Sequence, residues 1–377
     1  MRRSARAGIS LLEVVFSVGI VMIGLVGIAA LLPIAGVQAN KGAIADAAAR
    51  RGRDAVREFH VRGMANYRTW RGFDSTLGQF RALTPLEILA GRSYCIDPRF
   101  IARGTSNAAH AVRGRFPFIV DVPGPMPGTT LNMARITLTP PFPLESAYMG
   151  QLQADEVFTG RDDLVFDLPP DRTLGPLQNF SLSTTLAPLK RNTNGTISWM
   201  ATLVPKLNRW RVPTDEYTLA IVVFSRRVID QDASLTDPKV SSERILQVRR
   251  FWSGTPATGG GDVELVTLGG EKEDIELRTG NWVMLSSYRF VPGAGPDSFV
   301  PVHKWYRVGN VDEDAVLNGG VWVRNVTLTG PDWDWGNMAD NTPPNSYSTW
   351  TYVTLVRGVV AVFEKTIRLE SSSLWMN

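Results

Sequence analysis

Residues 1–40 read MRRSARAGISLLEVVFSVGIVMIGLVGIAALLPIAGVQAN, and this stretch decides the architecture. Three arginines, Arg2, Arg3 and Arg6, precede Gly8. After Glu13 no ionisable side chain occurs until Lys41, so 14–40 is one uncharged run. At about 1.5 Å per residue, about 20 apolar residues in a helix cross the hydrocarbon layer, so the run is long enough to span. Arginines ahead of it keep the extreme N-terminus in the cytoplasm. Glu13 is the unusual residue. A carboxylate at the edge of an apolar span is costly unless it is paired or protonated, and a plain anchor gains nothing from it. A cleaved secretory signal has a shorter apolar core and a small-x-small cut site. Val37-Gln38-Ala39 fits such a site only loosely, and the core here is longer. A simple signal anchor is the stronger rival.

The order Gly8, Ile9, Ser10, Leu11, Leu12, Glu13, behind a short basic leader and ahead of an uncharged helix, resembles the type IV pilin-like family with its prepilin signature. The stretch from Ile23 to Leu31 (IGLVGIAAL) is further similar to minor pilins of the PilV type and to minor pseudopilins of type II secretion. The resemblance covers roughly residues 1–60. It implies a cut between Gly8 and Ile9 by a prepilin peptidase, N-methylation of Ile9, and a leader oriented by Arg2, Arg3 and Arg6. It also implies that Glu13 meets the terminal amine of a neighbouring subunit, a pairing that sets helix register where neither charge has another good partner. Family members commonly begin the mature chain with Phe, so Ile9 is an apolar departure. The expected partners are other pilin or pseudopilin subunits, contacted through the helix, the prepilin peptidase and the inner membrane. The expected location is the bacterial inner membrane, crossed once with the N-terminus cytoplasmic, then a filament in the periplasm or at the cell surface.

The remainder carries no resemblance and is larger than a typical major pilin head, which favours a minor subunit over the bulk fibre subunit. The alternative is a membrane-anchored binding protein that does not polymerise and whose β-rich head holds carbohydrate or an envelope partner. Of the 377 residues, 44% are apolar and 20% charged, which describes a folded chain rather than a disordered one. Formal net charge is +4, and three of the positives belong to the leader, so a large nucleic-acid footprint is not indicated. A single cysteine, Cys95, rules out an intramolecular disulfide and is expected to be a small buried apolar residue.

The expected fold class is α+β: a long N-terminal transmembrane or filament helix followed by a large, mostly antiparallel β head. The segments are a leader over 1–8, a hydrophobic then amphipathic helix over 9–62, an α+β pilin-like head over 63–253 and a β-rich subdomain over 262–377, with Gly254–Gly261 (GTPATGGG) as linker. Pro33 and Gly36 predict a kink or melted turn in the helix. In its second half Ala43, Ala47, Val56 and Phe59 would face a core, and Arg50–Asp54 is spaced as an i,i+4 pair. Thr84-Pro85-Leu86-Glu87 is a capping box that starts a short helix, and Leu144–Glu156 is read as another. Strands are expected over 118–122, 134–139, 197–204, 217–229 and 244–252, then over 263–268, 274–277, 282–290, 303–308, 321–329 and 350–369. The later group reads as a small antiparallel sheet or barrel whose last strand returns to the first β region.

In the head, Asp332, Asp334, Asn337 and Asp340 lie in one loop with Trp333 and Trp335. These oxygens could ligate Ca²⁺, although the spacing is not that of an EF-hand and the same residues suit a turn. No other cofactor is expected. Val311-Asp312-Glu313-Asp314 reads as a solvated hairpin loop. Gly259-Gly260-Gly261 lacks a following Lys-Ser/Thr, so it is not a phosphate loop, and no G-x-S-x-G, H-E-x-x-H or CxxC occurs. The chain is therefore read as non-enzymatic, with the ligand of its head unassigned.

Overall fold

A computed structural model describes residues 11–74, 76–89, 91–103, 114–118, 130–139, 148–160, 164–166, 191–193, 196–209, 212–229, 242–251, 259–268, 271–290, 299–312, 314–333 and 351–370. The chain divides into two compact units, Met1–Ala47 and Ala48–Asn377. Helix α1 runs without interruption over Leu11–Val61. It does not melt at Pro33, because the helix keeps its turn there despite the missing donor.

Within the second unit, α1 contributes the buried residues Ala48, Arg51, Gly52, Ala55 and Phe59. Their spacing follows one stripe of a helix. The stripe agrees with the expected one at Phe59 only: Ala43 is exposed, while Ala47 and Val56 are only half-buried. Gly52 explains the difference. A Cβ there would lie 2.0 Å from Cε2 of Phe363, so a bare backbone lets an aromatic ring sit directly on the helix.

Short elements follow: β1 (Trp70–Asp74), β2 (Gln79–Ala82), α2 (Pro85–Leu89), β3 (Tyr94–Ile96), α3 (Pro98–Ala102), β4 (Arg115–Phe116), β5 (Met133–Leu138) and α4 (Gln151–Phe158). The capping box at α2 is present: the Thr84 amide donates to Glu87 Oε2 at 2.7 Å, and the Glu87 amide donates to Thr84 Oγ1 at 3.4 Å. A small pair, β6 (Leu164–Phe166) with β7 (Arg191–Thr193), precedes the long strands β8 (Ile197–Leu207) and β9 (Pro213–Ser225). The helix expected over 144–156 begins at Gln151 among the described residues. The strand expected over 118–122 is not formed at Phe118, and its other residues lie outside the described set.

The C-terminal strands are β10 (Glu243–Phe251), β11 (Gly260–Thr267), β12 (Trp282–Phe290), β13 (Phe299–Val311), β14 (Val316–Asn318), β15 (Val321–Thr329), β16 (Tyr352–Val356) and β17 (Val359–Arg368). Two sheets organise the second unit. The first has the order β17-β9-β8-β3-β5-β1-β2, with β4 also on β5. Among its described strands, β3 and β5 are the pair that runs parallel. The second closes on itself: β10, β11, β15, β13, β12 and β16 pair in a ring, and β14 extends the β15 edge. Closure removes exposed edges and makes a small β-barrel. Each of the six ring strands sends a residue pair at i, i+2 inward: Leu246 and Val248, Val263 and Leu265, Val283 and Leu285, Tyr306 and Val308, Val326 and Leu328, Val353 and Leu355. The opposite phase of β12 and β13 faces the first sheet. Met284 and Trp305 pack there with Cys95, Met200, Val222 and Phe224. Trp305 Nε1 donates to Thr202 Oγ1 at 3.1 Å across the same seam.

These pairings move the expected boundary. The barrel starts with β10, before the glycine run, and β17 leaves it to pair with β9. The glycine run is not a free linker at its end. Gly260 pairs with Thr329, and a Cβ on it would lie 1.9 Å from the Leu328 carbonyl oxygen. The stretch 350–369 is two strands because the chain turns at Arg357-Gly358 and changes sheet. Residues expected as a strand over 274–277 begin instead in a 3-10 turn over Lys272–Ile275, which drops Ile275 and Leu277 into the barrel core.

A buried ion network lies where the first sheet meets the start of the barrel. Arg227 donates to both oxygens of Asp97, at 2.8 and 2.5 Å. Arg135 Nη2 donates to Glu243 Oε1 at 2.5 Å, and its guanidinium carbon sits 3.5 Å from the centroid of the Phe100 ring. Glu243 Oε2 accepts from the Phe118 amide at 3.1 Å. Burial pushes the Asp97 carboxyl up, but Arg227, Arg135 and the Phe100 amide outweigh it and hold the group below its ordinary value. For Glu243 burial prevails over Arg135 and Arg227, and the carboxyl is raised.

Candidate functional site

The apolar half of α1 is the first candidate. It is long and apolar enough to cross a membrane, and no part of that stretch is buried within the protein. Leu12, Phe16, Ile20, Ile23, Leu25 and Leu31 are all exposed. Burying one such side chain is worth about 1.5–3 kcal/mol, so a row of them in water is a large unmet demand for an apolar surrounding. Glu13 lies in the first turn of α1. Ser17 Oγ donates to the Glu13 carbonyl oxygen at 2.8 Å, a back-bond that keeps its hydroxyl satisfied on an apolar helix. Gly8, Ile9, Arg2, Arg3 and Arg6 lie outside the described residues, so the cleavage motif is split between a described and an undescribed part.

The second half of α1 presents a different chemistry. Arg51 is buried, and its Nη2 donates to the Val157 carbonyl oxygen at 2.8 Å. That carbonyl belongs to the last turn of α4, where a cation is favoured by the helix dipole. Trp199 Nε1 donates to the same oxygen at 3.2 Å. Arg51 also pairs with Glu58 at 3.4 Å. The expected Arg50–Asp54 pair is not made; both side chains are exposed, as are Arg53 and Arg57. The exposed face of this half is therefore basic, and the docked face carries the one arginine that α4 can accept.

The loop beginning at Asp332 serves the barrel in its described part. Asp332 Oδ1 accepts from the Gly259 amide at 2.9 Å, and Lys304 Nζ donates to the Asp332 carbonyl at 2.5 Å. Trp333 is buried in the barrel core, edge-on to Tyr306 at 6.1 Å between centroids. Tyr306 Oη donates to the Pro331 carbonyl at 2.6 Å. Asp334, Asn337 and Asp340, the other oxygens of the expected Ca²⁺ loop, lie outside the described residues. Among the described residues no three of His, Cys, Asp and Glu gather as a metal cage.

In the acidic loop after β13, Asp312 offers its carbonyl to Arg324 at 3.1 Å and Asp314 approaches Lys272 at 3.9 Å. Cys95 is buried in the seam between sheet and barrel, and burial pushes its thiol far above the ordinary value, so it is an inert core residue. His303 is equally buried. Its Nδ1 lies 2.9 Å from Ser286 Oγ, and desolvation lowers its pKa to about 3, so the ring is neutral. No carboxylate completes a Ser-His-acid arrangement among the contacts of this pair, and it sits inside the barrel–sheet seam.

No family model, no curated protein and no solved structure matches this chain.

Proposed function

We propose that this chain is a minor pilin or minor pseudopilin, a structural and assembly subunit of a type IV pilus-like or type II secretion-like filament. In this reading it is made as a prepilin, cut between Gly8 and Ile9 and N-methylated on Ile9. It crosses the inner membrane once through α1, with Arg2, Arg3 and Arg6 holding the leader in the cytoplasm. Glu13 then pairs with the terminal amine of a neighbouring subunit and fixes the helix register. The role is non-enzymatic, and the partners are other subunits and the prepilin peptidase.

One observation carries the reading: a long uncharged helix, exposed along its whole apolar length, begins with a single carboxylate five residues beyond Gly8. Lipid satisfies the apolar side chains, whereas a carboxylate at the edge of the span calls for pairing or protonation. A neighbouring helix with a free amine satisfies both. The size of the β head, with its closed barrel, favours a second reading in which the same helix only anchors a binding protein. Intact-mass and N-terminal peptide mass spectrometry on protein from its own membranes separates the two. A mature chain starting at methylated Ile9 is the expected result. A chain that keeps Met1 to Gly8 would sink the filament reading and leave the anchor.

A further inference from the structure

Where the chain passes from the barrel to the first sheet, an open cleft of about 280 Å³ is lined by Arg244, Glu276, Arg278, Asn281, Trp282 and Arg357, among others. Its walls are fixed by backbone bonds. The Arg357 amide donates to the Ser242 carbonyl at 2.8 Å, and the Arg278 amide donates to Asn281 Oδ1 at 2.8 Å. Arg244 is the second residue of β10, and its Cα is paired with that of Leu355, which also lines the cleft.

The charge in this cleft does not balance. Glu276 is the one carboxylate in the lining, and it is taken by Arg278 at 3.3 Å. Arg244 is half-buried, and its guanidinium donates to the carbonyl oxygens of Glu273 and Glu276 rather than to a carboxylate. Those bonds aim the group; Arg357 opposes its charge, and Asp274 and Glu276 favour it. Arg357 makes no ion pair among the described residues, and it is close enough to Arg244 to disfavour that group's charge. Two like charges held together beside a half-buried tryptophan are unfavourable for the protein alone. A bound anion removes the penalty, and arginine forks suit carboxylate and phosphate oxygens in particular. Trp282, half-buried against the core, adds an aromatic side chain to the lining, and the cleft is near the size of a small-ligand site, about 300 Å³ at the lower end.

We propose that this cleft binds an anionic saccharide unit: the carboxylate or phosphate lies between Arg244 and Arg357, and the sugar ring lies against Trp282. The site is independent of filament assembly and stands whether α1 polymerises or only anchors.

The test is titration calorimetry on the full chain in detergent, with trigalacturonate, glucose 1-phosphate, neutral galactotriose, inorganic phosphate and hexaglutamate as probes. At least one of the two charged sugars binds, and whichever is tighter identifies the anion as carboxylate or phosphate. Galactotriose does not bind at about 10 mM. Raising salt weakens the binding, as screening of an exposed charge contact requires. Arg357→Ala, at an exposed side chain with no ion pair to lose, lowers affinity at least tenfold without lowering the melting temperature. Arg244→Gln repeats the loss. Failure of both charged sugars to bind would overturn the site, as would unchanged affinity in Arg357→Ala. Inorganic phosphate or hexaglutamate binding as tightly as the charged sugars would overturn the saccharide assignment.

Discussion

Replacing Glu243 by Leu tests the ion network between sheet and barrel. Glu243 is 1% exposed and Arg135 is 0% exposed, so the substitution strips a fully buried guanidinium of its 2.5 Å partner. What remains for Arg135 is Asp97 at 3.8 Å, already held at closer range by Arg227, and the face of Phe100. The Phe118 amide loses its acceptor as well. Breaking one partner of a buried pair costs about 3–5 kcal/mol, mostly because the other charge is stranded. The orphaned amide alone is worth about 1–3 kcal/mol, so the upper end of that range is expected. The informative control is the double variant Glu243→Leu with Arg135→Met. Both charges are then gone, the volumes are nearly kept, and the Asp97–Arg227 fork stays intact. Burial already raises the Glu243 carboxyl in spite of its neighbours, which means desolvation exceeds attraction at this position. The double variant should therefore recover at least about 2 kcal/mol relative to the single one. Urea unfolding of the full chain in detergent, followed by near-ultraviolet circular dichroism, measures all three proteins. A single variant that loses less than about 1 kcal/mol, or a double variant no better than the single one, would refute the stranded-charge argument.

Three further outcomes follow from other contacts. His303 has a folded pKa of about 3 against an ordinary 6.5, so its contribution is complete above pH 6.5 and is lost as pH falls toward 3. At pH 5, about 1.5 units below the unfolded value, proton uptake by the unfolded chain costs about 2 kcal/mol of stability, and His303→Asn should lack this component when stability is measured from pH 7.5 to pH 5; parallel curves would exclude it. Gly52→Ala gains up to about 1 kcal/mol of helix propensity but drives a Cβ to 2.0 Å from Phe363, so a net loss of about 1–3 kcal/mol is expected. In a Phe363→Ala background the same change should stabilise, and a gain in the wild-type background would show that the ring moves aside freely. Glu13→Val should cut recovery in sheared filaments at least tenfold, about 1.4 kcal/mol, with the membrane level of the protein unchanged; normal incorporation would remove the register role.

The two ends of the chain were legible for different reasons. The uncharged run after Glu13 is a local signal, since a span needs only length and composition, and α1 appears as one helix through it. The barrel was legible as alternating strands because six of them send i, i+2 pairs inward, and the return of the last strand follows from its length. The short strands β1, β2 and β3 were missed because three to five residues carry little periodicity, and β3 is buried on both faces. The boundary was misplaced because glycine was read as punctuation, whereas Gly260 is glycine so that β11 can approach Leu328. Charge misled in the same way. An arginine in a charged helix segment reads as solvent-facing, yet Arg51 is buried because α4, distant in sequence, ends its last turn against it. Asp97, Arg135, Arg227 and Glu243 have no common motif, and neither do Arg244, Trp282 and Arg357. Each group is assembled by pairing between strands far apart in the chain, and the consequence is the same in both. One gathers equal charges of both signs around Phe100 and closes on itself, which makes it a structural joint. The other gathers three arginines in an open cleft whose lining holds one carboxylate, and that imbalance is what separates a binding surface from a core contact.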